Sequence, residues 1–89
     1  MRVTHEPSSL RFIAVVDGQE SVLDYRLADA TMTIAHTGVP PGLRGRGIAG
    51  ELTRFALETA RANGWKVVPV CTYAAGFFVK HPEYRDLLA

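Results

Sequence analysis

The chain has 89 residues, 47% of them hydrophobic and 21% charged, and ten Lys plus Arg against nine Asp plus Glu leave a formal net charge of +1. That is the balance of one small globular domain with a limited core, and it gives no electrostatic footing for nucleic acid or an anionic membrane surface. A lone cysteine excludes an internal disulfide, and His5, His36 and His81 are too far apart for a metal-ligand spacing, so no metal site is expected.

From the start of the chain, MRVTHEPSSL lacks an apolar signal core, and no run of about 18 or more apolar residues occurs anywhere. Neither export nor membrane insertion is expected, which makes the cytoplasm the expected location. Residues 9–16, SLRFIAVV, are rich in β-branched and aromatic types and run into Asp17-Gly18, a pair suited to φ > 0 at a hairpin tip. The return strand, 20–28, alternates so that Ser21, Leu23, Tyr25 and Leu27 share one face and Glu20, Asp24 and Arg26 the other. Burial is expected for the face with Leu23 and Tyr25. A second turn at Asp29-Ala30 leads to a strand over 31–39, in which Met32, Ile34 and His36 fall on one side.

The period then changes. Ile48, Leu52, Phe55, Thr59 and Ala62 form a mostly apolar helical stripe flanked by Glu51, Arg54, Glu58 and Arg61, and Asn63-Gly64 supplies a left-handed stop. A buried Thr59 is expected to return its hydroxyl to the carbonyl one turn back. WKVVPV, 65–70, reads as a short buried strand in which Pro69 marks an irregular or edge position; 73–81 reads as a helix ending before Pro82, followed by a final helical turn or tail. The expected order is β-β-β-α-β-α, one α+β domain over 1–89 with a mixed, mostly antiparallel sheet.

The connection GLRGRGIAG, 42–50, contains a complete G-x-G-x-x-G in Gly45, Gly47 and Gly50. A dinucleotide fold would need that loop after the first strand of a βαβ unit and an acid at the end of the next strand. Three antiparallel strands precede it instead, and the following strand ends in Val70-Cys71. No Gly-Lys-Ser/Thr follows, so a Walker loop fails as well. The local physics still makes an anion site: glycines let N–H groups crowd a ligand, a helix begins near Gly47 with its unpaired donors, and Arg44 and Arg46 add charge. A flexible helix entry with solvated arginines remains the alternative on spacing alone.

VPPGLRGRGIAGEL resembles the acetyl-coenzyme A loop of the GNAT superfamily of N-acetyltransferases, with Val39, Pro41, Arg44, Gly45, Gly47, Ile48 and Ala49 filling its pattern in order. VVPVCTYAAGFFVKHPEY further resembles a minimal single-domain subgroup with a strand-end Cys, here Cys71, and a closing His-Pro-Glu-Tyr, here 81–84. The likeness covers about residues 10–88. It implies a reduced acyl-CoA N-acyltransferase fold, acetyl-CoA as co-substrate and an amine acceptor that the sequence does not name. Two departures stand out: the subgroup commonly has Glu where this chain has Gly38, and the larger family's additional acceptor-site elements have no counterpart here.

The resemblance implies a cofactor set of Val39, Arg44, Gly45, Arg46, Gly47, Ile48, Ala49 and Gly50, with backbone N–H groups from Arg44 to Gly50 on the pyrophosphate. The pantetheine arm would lie where the strand ending at Val39 parts from the one ending at Cys71, beside Ala75 and Phe78, which core packing explains equally well. Cys71 reads either as a small hydrophobe lining the cleft or as a nucleophile that accepts the acetyl group. His36 is a hydrogen-bonded structural histidine or a base for the amine or for Cys71. Tyr73 loosely matches the family's general acid for the departing thiolate, and 81–84 fit a capping role. A coenzyme A-binding module without efficient turnover is the rival to an enzyme.

Overall fold

The computed structural model describes residues 1–89. Five strands form one sheet in the order β1-β2-β3-β4-β5: β1 Val3–Glu6, β2 Arg11–Val16, β3 Gln19–Ala28, β4 Thr31–Gly38 and β5 Lys66–Pro69. The first four make an antiparallel meander, and β5 runs parallel to β4 after a crossover through helix α1, Ile48–Asn63. Helix α2, Thr72–Lys80, follows β5, and residues Pro82–Leu87 close the chain as a 3-10 helix. This is an α+β fold with a mixed, mostly antiparallel sheet.

The turn chemistry acts as the sequence suggests. Asp17 and Gly18 have φ of 52° and 73°, and Asp29 and Ala30 have 51° and 59°, the left-handed pairs whose twist matches a tight hairpin. Gly64 ends α1 at φ 72°, donating to Ala60 and Arg61. Pro69 lies in an edge strand, where its missing N–H interrupts no ladder.

Alternation places Phe12, Ala14, Leu23, Tyr25, Met32, Ile34 and Val67 on the face that meets the helices, each buried. On the opposite face no second layer is present, and Val15 and Val68 stay 57% and 37% exposed.

Four expectations need correction. The N-terminal residues add a strand, β1, paired antiparallel to β2, so the order is β-β-β-β-α-β-α. His5 anchors it: its ring stacks on Phe12 at 4.2 Å and Nε2 lies 2.7 Å from the Tyr25 hydroxyl. The first hairpin strand starts at Arg11 rather than at residue 9, because Pro7–Ser9 form a 3-10 turn that Leu10 ends at φ 54°.

The buried stripe of α1 is Ile48, Leu52, Thr53, Ala56, Leu57 and Ala60, whereas Phe55 is 43% exposed and Ala62 is exposed. The broader i, i+4, i+5 stripe wins because the helix lies across a wide sheet rather than against one neighbour. Thr53 is therefore the buried threonine, with Oγ1 donating to the Ala49 carbonyl at 2.8 Å, although Thr59 also makes the expected bond back to Phe55, at 2.9 Å.

The fourth correction concerns His36. Tyr25 pairs with Ile34 but Asp24 pairs with His36, so Ala35 is an extra residue and β4 carries a bulge there. Beyond it the facing is inverted: Thr37 pairs with buried Leu23 and takes the helix side, while His36 stands opposite Asp24 on the open side. His36 does not share the face of Met32 and Ile34.

Candidate active site

The bulge also marks where β4 and β5 part. Their ladder runs only from Thr31↔Lys66 to Ile34↔Pro69, yet β4 continues to Gly38. After the last pair the Ile34 carbonyl accepts from the N–H groups of both Val70 and Cys71, at 3.1 and 3.0 Å, which turns the chain away into α2. A cleft of about 490 Å³ opens at this end of the sheet. Its walls are the last residues of β4 with Val39 (36–39), the loop from Leu43 to Gly45, the start of α1 (47–50) and Tyr73.

The loop is built around two left-handed glycines, Gly45 at φ 82° and Gly47 at φ 79°, with Gly47 as the N-cap of α1. No cap side chain satisfies the helix start. The first bond to close is Glu51 N–H to the Gly47 carbonyl, and none of the six N–H groups from Gly45 to Gly50 donates to another protein group. Those free donors border a concavity at the positive end of a 16-residue helix. The donor set fits a pyrophosphate.

The two loop arginines differ. Arg44 lines the cleft and donates from Nε to the Val39 carbonyl at 3.3 Å, pinning the loop to the strand end. Arg46 lies outside the lining, bound at 2.8 Å to Asp17 at the tip of the β2–β3 hairpin. Val39, Gly45, Gly47, Ile48, Ala49 and Gly50 are brought together around the cleft.

The other residues singled out in the sequence divide. His36 reaches the cleft mouth from the open sheet face. A Cβ at Gly38 would sit 3.0 Å from His36 Nε2, so the glycine at the position of the subgroup's glutamate leaves room for the imidazole. Tyr73 also lines the cleft, its hydroxyl 3.3 Å from where a Cβ on Gly50 would lie. Burial pushes its phenol above the usual range against the pull of Arg54, which keeps the group a proton donor at neutral pH.

Cys71 stands behind the cleft wall, with Sγ 2.9 Å from Thr37 Oγ1, and it is the N-cap residue of α2. Burial raises its thiol pKa, but Thr37 and the N–H groups of Ala74, Tyr73 and Thr37 outweigh burial and hold it below the ordinary thiol value. The helix N–H groups act on the sulfur electrostatically, without closing a cap bond of good geometry. Phe78 is buried in the core, and Ala75 is exposed on α2 away from the lining. Residues 81–84 lie at the α2 terminus, with Tyr84 buried and its hydroxyl donating to Glu58 at 2.8 Å.

Thr37, Leu43 and Asp17 are the participants that sequence reasoning missed. Only the bulge aims Thr37 at Cys71, and only the fold brings Asp17 to Arg46. No local signal marks either.

A family model described as GCN5-related N-acetyl-transferase matches residues 11–87. The chain belongs to this family. Protein NATD1 of Danio rerio is 30% identical over 97% of this chain and 83% of its own length, and Protein NATD1 of Xenopus tropicalis is 29% identical over 99% and 85%. A GCN5-like N-acetyltransferase candidate from Staphylococcus aureus, whose structure was determined in solution, superposes with a TM-score of 0.77 at 26% identity, over 99% of this chain and 87% of its own. The family match leaves out residues 1–10, the segment that supplies β1 to this GCN5-related chain. No helix is long and apolar enough to cross a membrane.

Proposed function

We propose that the protein is an acetyl-CoA-dependent N-acetyltransferase acting on an amine. The observation that carries this reading is the set of six unpaired N–H groups from Gly45 to Gly50 at the cleft formed by the parting strands. They would hold the pyrophosphate, and Arg44 would add charge at the same end. The end of β4, bounded by Val39, Leu43 and Ile48, would take the pantetheine arm. Acetyl-CoA would supply the thioester whose carbonyl carbon the acceptor nitrogen attacks.

His36, at the open mouth, is placed to take the proton that the attacking amine loses. Tyr73, a protonated phenol on the opposite wall, is placed to give a proton to the departing sulfur. Cys71 lies one layer back, hydrogen-bonded to Thr37, and this favours direct attack by the amine over an acetyl-Cys71 intermediate. The six donors serve a coenzyme A-binding module equally well, so binding and turnover are separate measurements.

Calorimetric titration with coenzyme A and acetyl-CoA tests the first, and release of free thiol from acetyl-CoA over a panel of primary amines tests the second. Binding with turnover is the expected result. Binding without turnover on any amine identifies the non-catalytic module, and no heat with either compound removes both.

A further inference from the structure

β1 ends the sheet on one side, and its outer edge has no neighbour. Which of its backbone groups point outward follows from the hairpin beside it. The Tyr25 N–H donates to the Leu10 carbonyl, and antiparallel bonds alternate along a strand, so Leu10, Phe12 and Ala14 turn their backbone groups to β3 while Arg11 and Ile13 turn theirs to β1. Thr4 pairs with Ile13 and Glu6 with Arg11, which leaves the N–H and C=O groups of Val3 and His5 on the outside. No bond from a loop, a turn or a side chain reaches these groups. The edge also lacks the usual devices against pairing: residues 3–6 include no Lys, no Pro and no bulge.

The stretch RVTHE, 2–6, is complementary to itself when reversed. Outward groups must meet outward groups, so Val3 of one chain pairs with the partner's His5 and His5 with the partner's Val3, which satisfies the free groups of both edges. Thr4 then faces the partner's Thr4 across a two-fold axis, and Arg2 faces the partner's Glu6 twice. The neighbouring registers do worse. One centred on Val3 sets Arg2 against Thr4, and one centred on His5 sets Val3 against Pro7, which has no N–H to give.

Arg2 and Glu6 are available for these pairs. Neither has an ion-pair partner in the chain, because Arg11, across the ladder from Glu6, is held by Asp24 at 2.6 Å. On the helix side Val3 and His5 are half-buried, and half-exposed Phe55, one strand in where it meets Phe12 edge-on at 5.9 Å, adds apolar surface beside the edge.

We infer that this edge binds a second copy of the chain, β1 against β1 and antiparallel, so that two five-stranded sheets join into one across a two-fold axis. The contact is isologous and uses the free edge of both copies. Growth stops at two chains, because Leu88 bridges Val67 along the outer side of β5 and the Ala89 N–H donates to the Val67 carbonyl at 3.0 Å. A ladder this short belongs with the small, reversible interfaces, with a Kd of about 10–100 µM. The cleft lies toward the other side of the sheet, at the end of β4, and stays open in both copies. The inference is independent of the coenzyme A reading.

Sedimentation velocity of the whole untagged chain, from about 5 µM to about 500 µM, tests it. Monomer should give way to dimer across that range, and added salt should weaken the dimer. Arg2→Glu sets two carboxylates opposite each other on both flanks of the axis and should weaken association about tenfold. Arg2→Glu combined with Glu6→Arg reverses both charges, keeps the register and should restore the affinity to within about threefold. Both positions are exposed, so the melting temperature of the monomer should not change. Amide exchange at Val3 and His5, followed by nuclear magnetic resonance, should slow as concentration rises. A chain that stays monomeric, whether or not its edge takes up an unrelated extended peptide, overturns the inference. So does a dimer whose exchange at Val3 and His5 ignores concentration, or a double variant as weak as Arg2→Glu.

Discussion

Thr37 Oγ1 and Cys71 Sγ lie 2.9 Å apart, joining β4 to the start of α2 just beyond the point where the sheet ladder between β4 and β5 ends. The contact lowers the thiol pKa against the opposing effect of burial. Thr37→Val should therefore raise the pKa of Cys71 and slow its alkylation by iodoacetamide at neutral pH. Because the folded-state value is depressed, the thiolate stabilises the fold fully above the ordinary thiol pKa of 9.0, and that share is lost as pH falls through the lowered value. Alkylation rates measured against pH in the two proteins check this. If acetyl-CoA leaves one acetyl group on the intact protein and Cys71→Ala removes both that mass and turnover, the direct-attack route is wrong.

Gly47→Val addresses the loop backbone. No protein atom lies within 4 Å of a Cβ built at Gly47, so the obstacle is not a clash within the chain but φ at 79°. A side chain there costs about 1–2 kcal/mol, more for a β-branched one. The expected result is loss of coenzyme A binding with a native circular dichroism spectrum and a slightly lower melting temperature. Retained affinity would move the phosphate site elsewhere.

The Arg46–Asp17 pair ties the hairpin tip to the loop through two half-exposed side chains. Exposed pairs contribute little and are screened by salt. Arg46→Ala should weaken coenzyme A by only a few-fold, with the difference vanishing at about 1 M salt, where screening acts within about 3 Å. Asp17→Asn leaves Arg46 free and should tighten binding slightly at low salt. A complete loss in Arg46→Ala would transfer the weight from backbone donors to the side chain.

His5 makes the fold sensitive to acid. Burial lowers its pKa below 6.5, so the unfolded chain binds a proton more readily than the folded one. The sign follows: stability is complete above 6.5 and declines as pH drops from there toward the folded-state value. The melting temperature should fall across that window, and His5→Phe, which keeps a ring on Phe12 but cannot titrate, should flatten the profile. A profile unchanged by the substitution would place the titrating group elsewhere.

How much of this was legible in the sequence depends on the range of the interaction. Asp17-Gly18, Asp29-Ala30 and Gly64 act through their own φ, and each is readable from two adjacent letters. The loop glycines Gly45 and Gly47 belong to the same class, which is why the loop before α1 was legible in the sequence. The stripe of α1 was misjudged because its width depends on the area of sheet beneath it, which no helical wheel records. β1 was missed because four residues are too few to set a period: half-buried Val3 and His5 alternate with exposed Thr4 and Glu6, and what fixes them is His5 meeting Phe12 and Tyr25 in space.

The bulge at Ala35 makes the strand wall of the cleft a matter of parity. Side-chain direction in a strand depends on whether the count of residues is odd or even, so one residue decides which of His36 and Thr37 looks toward the helices. Point substitutions leave that count untouched, and deletion of Ala35 removes the extra residue itself, leaving a regular ladder with His36 still opposite Asp24 and Thr37 still opposite Leu23. A homologous chain that lacks the bulge residue should therefore present the same pair of groups to the cleft, whereas one of equal length with an unbulged ladder would pair Leu23 with His36 and turn the imidazole toward the helices.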